Sequence, residues 1–355
     1  MTFVVTLADA ADAAAVGGKA ASLGELARAG VAVPPGFAVT TEAFTAAMTA
    51  LDADGALRAG IEALSADVAE IARVAARFRA LVAGAPLPAE VVAAIESSYA
   101  ALAGDAGDPD VAVRSSATVE DSAEASFAGL QDTYLGVSGA GAVADHVRRC
   151  WASLYNDESV AYRRRLGLPE DEVAMAVVVQ RMVAPRAAGV MFTRSPVTGD
   201  RSVVAIEGTW GLGSALVSGD VTPDSWVISK ITGEITGRRV SPKVKIHQYL
   251  PNESVASPAA RVTVADTQAD LRDAPCLTDD EIRALAAVAR RVEAHYGAPQ
   301  DIEWAVLDGE QAPGERVVLL QSRPETVWAS RNTSPAGAPK PRPADHVLSL
   351  FGKPL

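Results

Sequence analysis

Two short runs near the C-terminus constrain this chain more tightly than any other feature. Asp301 to Val306 and Val317 to Ser322 alternate, are rich in Val, Ile, Leu and Trp, and are separated by Asp308, Gly309 and Pro313. The pattern predicts two antiparallel strands, most simply a hairpin. If Glu303 lies opposite Gln321, then Asp301 lies opposite Arg323. Period-two alternation sends these four side chains to one face and Ile302, Trp304, Val318 and Leu320 to the other. Two carboxylates, an amide oxygen and a guanidinium then converge. Carboxylates and an amide carbonyl are hard ligands suited to Mg²⁺ or Mn²⁺, and an Arg fork beside them suits phosphate oxygens. On these two strands alone, a cross-strand Asp–Arg pair on a solvated face explains the same residues equally well.

A chain of 355 residues is too long for one small core and points to two domains or subdomains. Apolar residues at 49% and charged ones at 21% describe a soluble globular protein, and no apolar stretch approaches membrane-spanning length. A net charge of −12 argues against nucleic acid or an anionic membrane as the main partner. Any anionic ligand must therefore meet locally placed cations. Cys150 and Cys276 have neither CxxC spacing nor metal-ligand company, and the N-terminus lacks the pattern of a leader. The expectation is two buried thiols in a reducing cytoplasm.

Along the chain, residues 18–29 read as a helix closed by Gly30, preceded by Val16-Gly17-Gly18-Lys19. An Ala-rich stretch from Thr41 to about Gly107 predicts several amphipathic helices. Val111-Ala112-Val113 opens a strand that delivers Arg114, and His146 to Arg165 reads as one helix. The nearly unbroken apolar run Val173 to Val179 predicts a strand covered on both faces, followed by a hinge at Gln180 to Val183. Trp226–Lys230 and Glu234–Val240 predict a hairpin, with Lys243 and Lys245 pointing one way beyond it. Thr278 and Glu281 form a capping-box signature for a helix to about Tyr296. The expected division is an N-terminal subdomain over 1–178, a C-terminal one over 179–327, and a Pro-rich linker or tail over 328–355.

Lys19 follows a Gly pair at a helix N-terminus, where N–H groups and the helix dipole favour an anion; taken alone, an exposed first-turn lysine is the simpler account. Arg114 leaves a Val-Ala-Val strand and is followed by small, hydroxylated residues, which suits phosphate, or else a buried ion pair. The loop from Ser126 through Gly129 to Thr133 offers backbone freedom and hydroxyls for folding over phosphates, or a plain hairpin turn. No Ser-His-Asp spacing is visible, and His146, His247, His295 and His346 receive no role.

In order along residues 10–327, the strings Gly17-Gly18-Lys19-Ala20-Ala21-Ser22-Leu23-Gly24-Glu25, Val33-Pro34-Pro35-Gly36-Phe37, Val113-Arg114-Ser115-Ser116-Ala117, Ser126-Phe127-Ala128-Gly129, Gly189-Val190-Met191-Phe192-Thr193, Trp210-Gly211-Leu212-Gly213, Asp301-x-Glu303 and Gln321-Ser322-Arg323-Pro324 resemble one family. It is the nucleotide-binding domain shared by phosphoenolpyruvate synthase, pyruvate phosphate dikinase and rifampin phosphotransferase. The resemblance implies an α/β (α+β) ATP-grasp fold, with two subdomains clasping ATP and mixed and antiparallel sheets flanked by helices. It also implies Mg²⁺ (Mn²⁺ possible) as the metal and transfer of the β-phosphoryl group to a histidine on a swivelling domain, giving AMP and phosphate. Carried across, Lys19, Arg114, Asp301 and Arg323 would serve the phosphoryl site, and Ser126, Gly129 and Thr133 the closing loop. Gln180, Met182 and Val183 would present the adenine edge, largely through backbone groups, and Glu207 would face the ribose or adenine side, while Glu303 and Gln321 would bind the metal.

None of the four histidines has the Ser-His context of a carrier, so the carrier is expected on a separate subunit or domain; a free-standing chain of this kind resembles the small subunit of phenylphosphate synthase, whose carrier histidine lies on a separate polypeptide. An excised domain of a longer synthase or antibiotic phosphotransferase, and a catalytically silent ATP-binding module, are the alternatives.

Overall fold

The structure is a computed structural model that describes residues 1–64, 67–104, 107–117, 121–122, 125–126, 132–250, 261–326 and 328. Two sheets organise it. The first runs Val4–Thr6, Gly36–Val39, Met175–Arg181, Val111–Ala117, Thr133–Val137 in spatial order. The second runs Ile235–Arg239, Asp224–Ser229, Val203–Trp210, Pro185–Phe192, Gln300–Leu307, Val317–Pro324. Their ladders are antiparallel throughout, and a parallel bridge joins Gly211 to His247.

Met175–Arg181 is apolar from Met175 to Val179 because it is the middle strand of five. Val177 and Val179 enter a core built with Phe44, Phe78 and Trp151 from the helices that cover one face. Val178 enters a smaller core with Val16, Ala20 and Leu23 of the helix Ala13–Arg28, which covers the other. In the second sheet, Met191, Ile206, Ile302 and Trp304 share a core with Ile282, Leu285, Ala289 and Val292 of the helix Asp279–Tyr296. That helix starts at the predicted capping box: the Glu281 N–H donates to Thr278 Oγ1 at 3.3 Å and the Thr278 N–H to Glu281 Oε2 at 2.9 Å. The helix opposite the second sheet leaves that sheet's other face half-covered, and this is the face that turns toward Arg114.

Several expectations need correction. The first helix begins at Ala13 rather than residue 18, but Gly17, with φ 74° and ψ 164°, breaks it, so a new helical segment does start near Lys19. His146 to Arg165 is divided into Ala140–Ser153 and Asp157–Leu166, because Asn156 is extended and Asp157 and Glu158 open a fresh N-terminus. Lys243 and Lys245 do not share an environment: Lys243 is fully buried on Asp224, whereas Lys245 pairs with Asp266 at the surface. The predicted Trp226 hairpin forms as Asp224–Ser229 with Ile235–Arg239. Met175–Arg181 pairs entirely within the first sheet, so the chain crosses between sheets at 182–184, and a cut at 178/179 would divide a strand. Both cysteines are buried and free. Among the described residues no single helix is long and apolar enough to cross a membrane.

Candidate phosphate and metal cleft

From the first sheet come two cations. Arg114 is the only residue of Val111–Ala117 that is not buried, and its neighbour across the ladder is the exposed Thr133. Its guanidinium spans the gap to the second sheet: Nη2 donates to Glu303 Oε2 at 2.8 Å and Nη1 to the Leu320 carbonyl at 3.2 Å. Lys19 Nζ donates to the Ser115 carbonyl at 3.0 Å, one residue from Arg114. The two positive groups thus stand side by side.

The second sheet answers with the hairpin, whose register is the predicted one: Asp301 opposite Arg323 and Glu303 opposite Gln321. A β-bulge follows between Glu303 and Trp304, so that Trp304 faces Leu319. The expected partition of the apolar residues is therefore wrong on one strand. Val317 and Leu319 join Ile302 and Trp304 in the core, while Val318 and Leu320 are only half-buried, because one extra residue reverses the alternation. The bulge also takes Leu320 out of the regular ladder, and its carbonyl is the one that receives Arg114. Reading on across the sheet, Gln321, Glu303, Val190, Glu207 and Ser225 stand in one cross-strand row on the half-buried face. Glu207 is two strand spacings from Glu303, about 10 Å.

Charge is finely set here. Burial pushes the Glu303 carboxyl up, but Arg114, then Lys19 and Arg323, overcome that and hold it below the ordinary glutamate value. Asp301 goes the other way. Burial raises its carboxyl to about 6 and Glu325 adds to the rise, with Arg323 opposing; Arg323 Nε lies 3.6 Å from Asp301 Oδ2. Asp301 Oδ1 is buried with no hydrogen-bond partner among the described residues, an acceptor without a donor. Glu303, Gln321 and this oxygen suit a hard divalent cation. Among the described residues no group of three or more His, Cys, Asp or Glu could hold a metal, so a cation here needs further oxygens, such as those of a phosphate chain.

The remaining predicted residues fall as follows. Gln180 is buried, and its Nε2 donates to the Pro34 carbonyl at 3.2 Å, so its side chain supports the chain turn rather than facing open space. Met182 and Val183 form the link between the sheets; the Met182 N–H is taken by the Asp110 carbonyl at 2.8 Å. Ser126 lies in a two-residue strand paired with Asp121–Ser122, and Gly129 lies outside the described residues.

Sequence reasoning missed the supports. Ser22 Oγ donates to the Ser322 carbonyl at 2.8 Å, tying the Lys19 helix to the strand between Gln321 and Arg323. Tyr249 OH donates to Asp110 Oδ2 at 2.7 Å, and Arg261 pairs with the same carboxylate, bracing the link at Met182. His247, given no role above, contacts Ser214 Oγ through Nδ1 at 2.9 Å and Asp220 Oδ2 through Nε2 at 3.0 Å, while the Leu212 N–H donates to its carbonyl. It holds the glycine turn after Trp210 in place. All of these join residues far apart in sequence, where spacing carries no signal.

The chain is 43% identical over 319 residues to a probable phosphoenolpyruvate synthase of Methanothermobacter thermautotrophicus, covering 89% of this chain and 44% of that protein. It is 42% identical over 345 residues to the phosphoenolpyruvate synthase of Aeropyrum pernix, covering 91% and 42%. To a rifampicin phosphotransferase of a Streptomyces species it is 45% identical over 322 residues, covering 90% and 35%. The chain thus spans less than half the length of these relatives. Residues 13–342 match the pyruvate phosphate dikinase, AMP/ATP-binding domain. With two antiparallel sheets facing one cleft, the fold is of the ATP-grasp type, and the chain belongs to the pyruvate phosphate dikinase AMP/ATP-binding domain family.

Proposed function

We propose that the chain binds Mg-ATP between its two sheets and passes the β-phosphoryl group to a histidine carried by another domain or polypeptide, releasing AMP and phosphate. The observation that carries this reading is the meeting of opposite walls: Arg114 of the first sheet, beside Lys19, reaches Glu303 of the second at 2.8 Å, where Gln321, Asp301 and Arg323 stand by register. Phosphoryl transfer requires positioning and charge neutralisation more than a protein nucleophile. Lys19, Arg114 and Arg323 supply the positive charge and hold the phosphates in line. Glu303, Gln321 and Asp301 would hold the metal, which when bound neutralises the phosphate chain and orients it. Along the row from Gln321 to Glu207 the nucleoside would lie toward Glu207, with its base at Met182 and Val183 and the loop through Ser126, Gly129 and Thr133 closing over the phosphates.

In this reading the two halves meet at 182–184, residues 328–355 are a linker or tail, and the protein works in the cytoplasm. The final acceptor is a small molecule such as pyruvate or a phenol. Mixing the chain with Mg-ATP and a separately supplied carrier domain should yield AMP and acid-labile phosphohistidine. ADP as the nucleotide product would overturn the reading.

A further inference from the structure

Ser116 is fully buried in the strand Val111–Ala117, two residues beyond Arg114, and its hydroxyl makes two hydrogen bonds into the Lys19 helix. Oγ donates to the Val16 carbonyl at 3.0 Å and accepts from the Ala20 N–H at 3.3 Å. In an unbroken helix those two groups would bond each other, since Ala20 is four residues beyond Val16. The Ser116 hydroxyl is therefore inserted into one rung of the helix, the known physical cause of a local opening. The turn it opens contains Gly17, Gly18 and Lys19. Gly17 completes the insertion: its φ of 74° and ψ of 164° are glycine territory, and a Cβ there would lie 2.0 Å from the Ser116 carbonyl oxygen. The neighbouring carbonyl, that of Ser115, receives Lys19 Nζ.

We infer that Ser116 is a positioning residue for Lys19: by holding the turn open it makes a mid-helix lysine the first-turn lysine of a new helical segment, aimed into the cleft beside Arg114. The inference rests on the proposal that Lys19 meets the phosphates of ATP. It does not restate that proposal, because Ser116 is buried and acts through the helix. Replacing Ser116 by alanine lets the Ala20 N–H close directly onto the Val16 carbonyl, which removes the opening and turns Lys19 away. A hydroxyl serving only the packing of this core would lower affinity for every part of the nucleotide alike. A positioning hydroxyl acts on the phosphates alone.

The test is calorimetric binding of Mg-ATP and of adenosine to the full chain in five forms: unaltered, Ser116→Ala, Ser116→Cys, Lys19→Ala and the Ser116→Ala/Lys19→Ala pair. Ser116→Cys keeps the side chain's place with a weak donor and acceptor, and serves if the alanine variant does not fold. The expected result is about a tenfold loss of Mg-ATP affinity for either Ser116 variant, the scale of one or two hydrogen bonds, with adenosine affinity unchanged within twofold. In the Lys19→Ala background the Ser116 substitution should cost nothing further for Mg-ATP. Equal losses for Mg-ATP and adenosine, or additive losses in the double variant, overturn the inference while leaving the Lys19 reading intact. Undiminished Mg-ATP affinity in Lys19→Ala alone overturns the Lys19 reading itself, and the inference with it.

Discussion

The two walls of the cleft are built by different means. On the second sheet, Asp301, Glu303, Gln321 and Arg323 share a face because two strands alternate in register, so each side chain is fixed by its own strand and its neighbour. On the first sheet, Arg114 and Lys19 come from a strand and a helix that meet only in the tertiary fold, and backbone carbonyls hold their charged ends. An acidic wall made by register tolerates local change; a basic wall made by a helix break does not. Gly17 therefore provides the hardest test. Its φ and ψ lie where only glycine is at ease, and Gly17→Ala also drives a methyl against the Ser116 backbone. We expect a loss of about 3 kcal/mol or more in urea unfolding, the strain cost of that region plus the displaced contact. A loss below about 1 kcal/mol would show that the helix can straighten freely, and the contrast between the walls would fail.

Next in size is the bridge between the walls. Arg114→Ala leaves the Glu303 carboxylate of the second sheet without its principal counter-charge, and removes the donor to the Leu320 carbonyl. With side chains 17% and 31% exposed, the pair is partly screened, and a destabilisation of about 2 kcal/mol is expected. Glu303→Gln should cost less, because the amide oxygen can still accept from Arg114. Equal losses from the two variants would mean that the two sides contribute symmetrically.

How much of this was legible in the sequence follows the same division. The hairpin register, and with it all four residues of the acidic wall, could be read from alternation, because period two is local. Alternation failed one step later, at Leu320, where a bulge leaves no compositional mark. The middle strand and the capping box were legible for similarly local reasons. Lys19 and Arg114 stood out as charges in unusual settings, but only the family resemblance brought them together; local pattern could not, since Ser116, Ser22 and Tyr296 act across separations of 96 to 300 residues. Gln180 was placed at the adenine edge by the resemblance alone, largely through its backbone; that its side chain is given to the Pro34 carbonyl, 146 residues away, is a tertiary contact that spacing does not signal.

Within the acidic wall, Asp301 and Glu303 are held at opposite ends of their range, and pH separates them. A carboxyl raised in the folded state binds its proton more tightly there than when unfolded, so its ionisation opposes folding. For Asp301 that penalty is absent below about pH 4, grows as pH rises, and is complete above about 6. The shift from 3.8 to about 6 sets a ceiling of about 3 kcal/mol. Asp301→Asn removes this penalty, in which the attraction of Arg323 is already counted, so the gain at neutral pH is bounded by the same ceiling of about 3 kcal/mol. Its melting temperature should exceed that of the unaltered protein at pH 7.5 and match it at pH 4. A lower melting temperature at pH 7.5 would mean that the Arg323 pair outweighs burial.

The smallest effect should come from Ser22, which touches both walls. Its hydroxyl donates to the Ser322 carbonyl, on the outer edge of the second sheet, and lies 3.1 Å from Tyr296 OH. Removing it in Ser22→Ala leaves an edge carbonyl that Tyr296 or water can satisfy, so the loss should be about 1 kcal/mol. The side chains of Gln321 and Arg323 should keep their direction, because the ladder to Asp301 and Glu303 sets it independently of the helix. Mg-ATP affinity should accordingly fall no more than about threefold, well short of the loss expected at Ser116. A tenfold fall in Ser22→Ala would place the alignment of the second wall in the helix rather than in the register, and the two walls would then depend on one support.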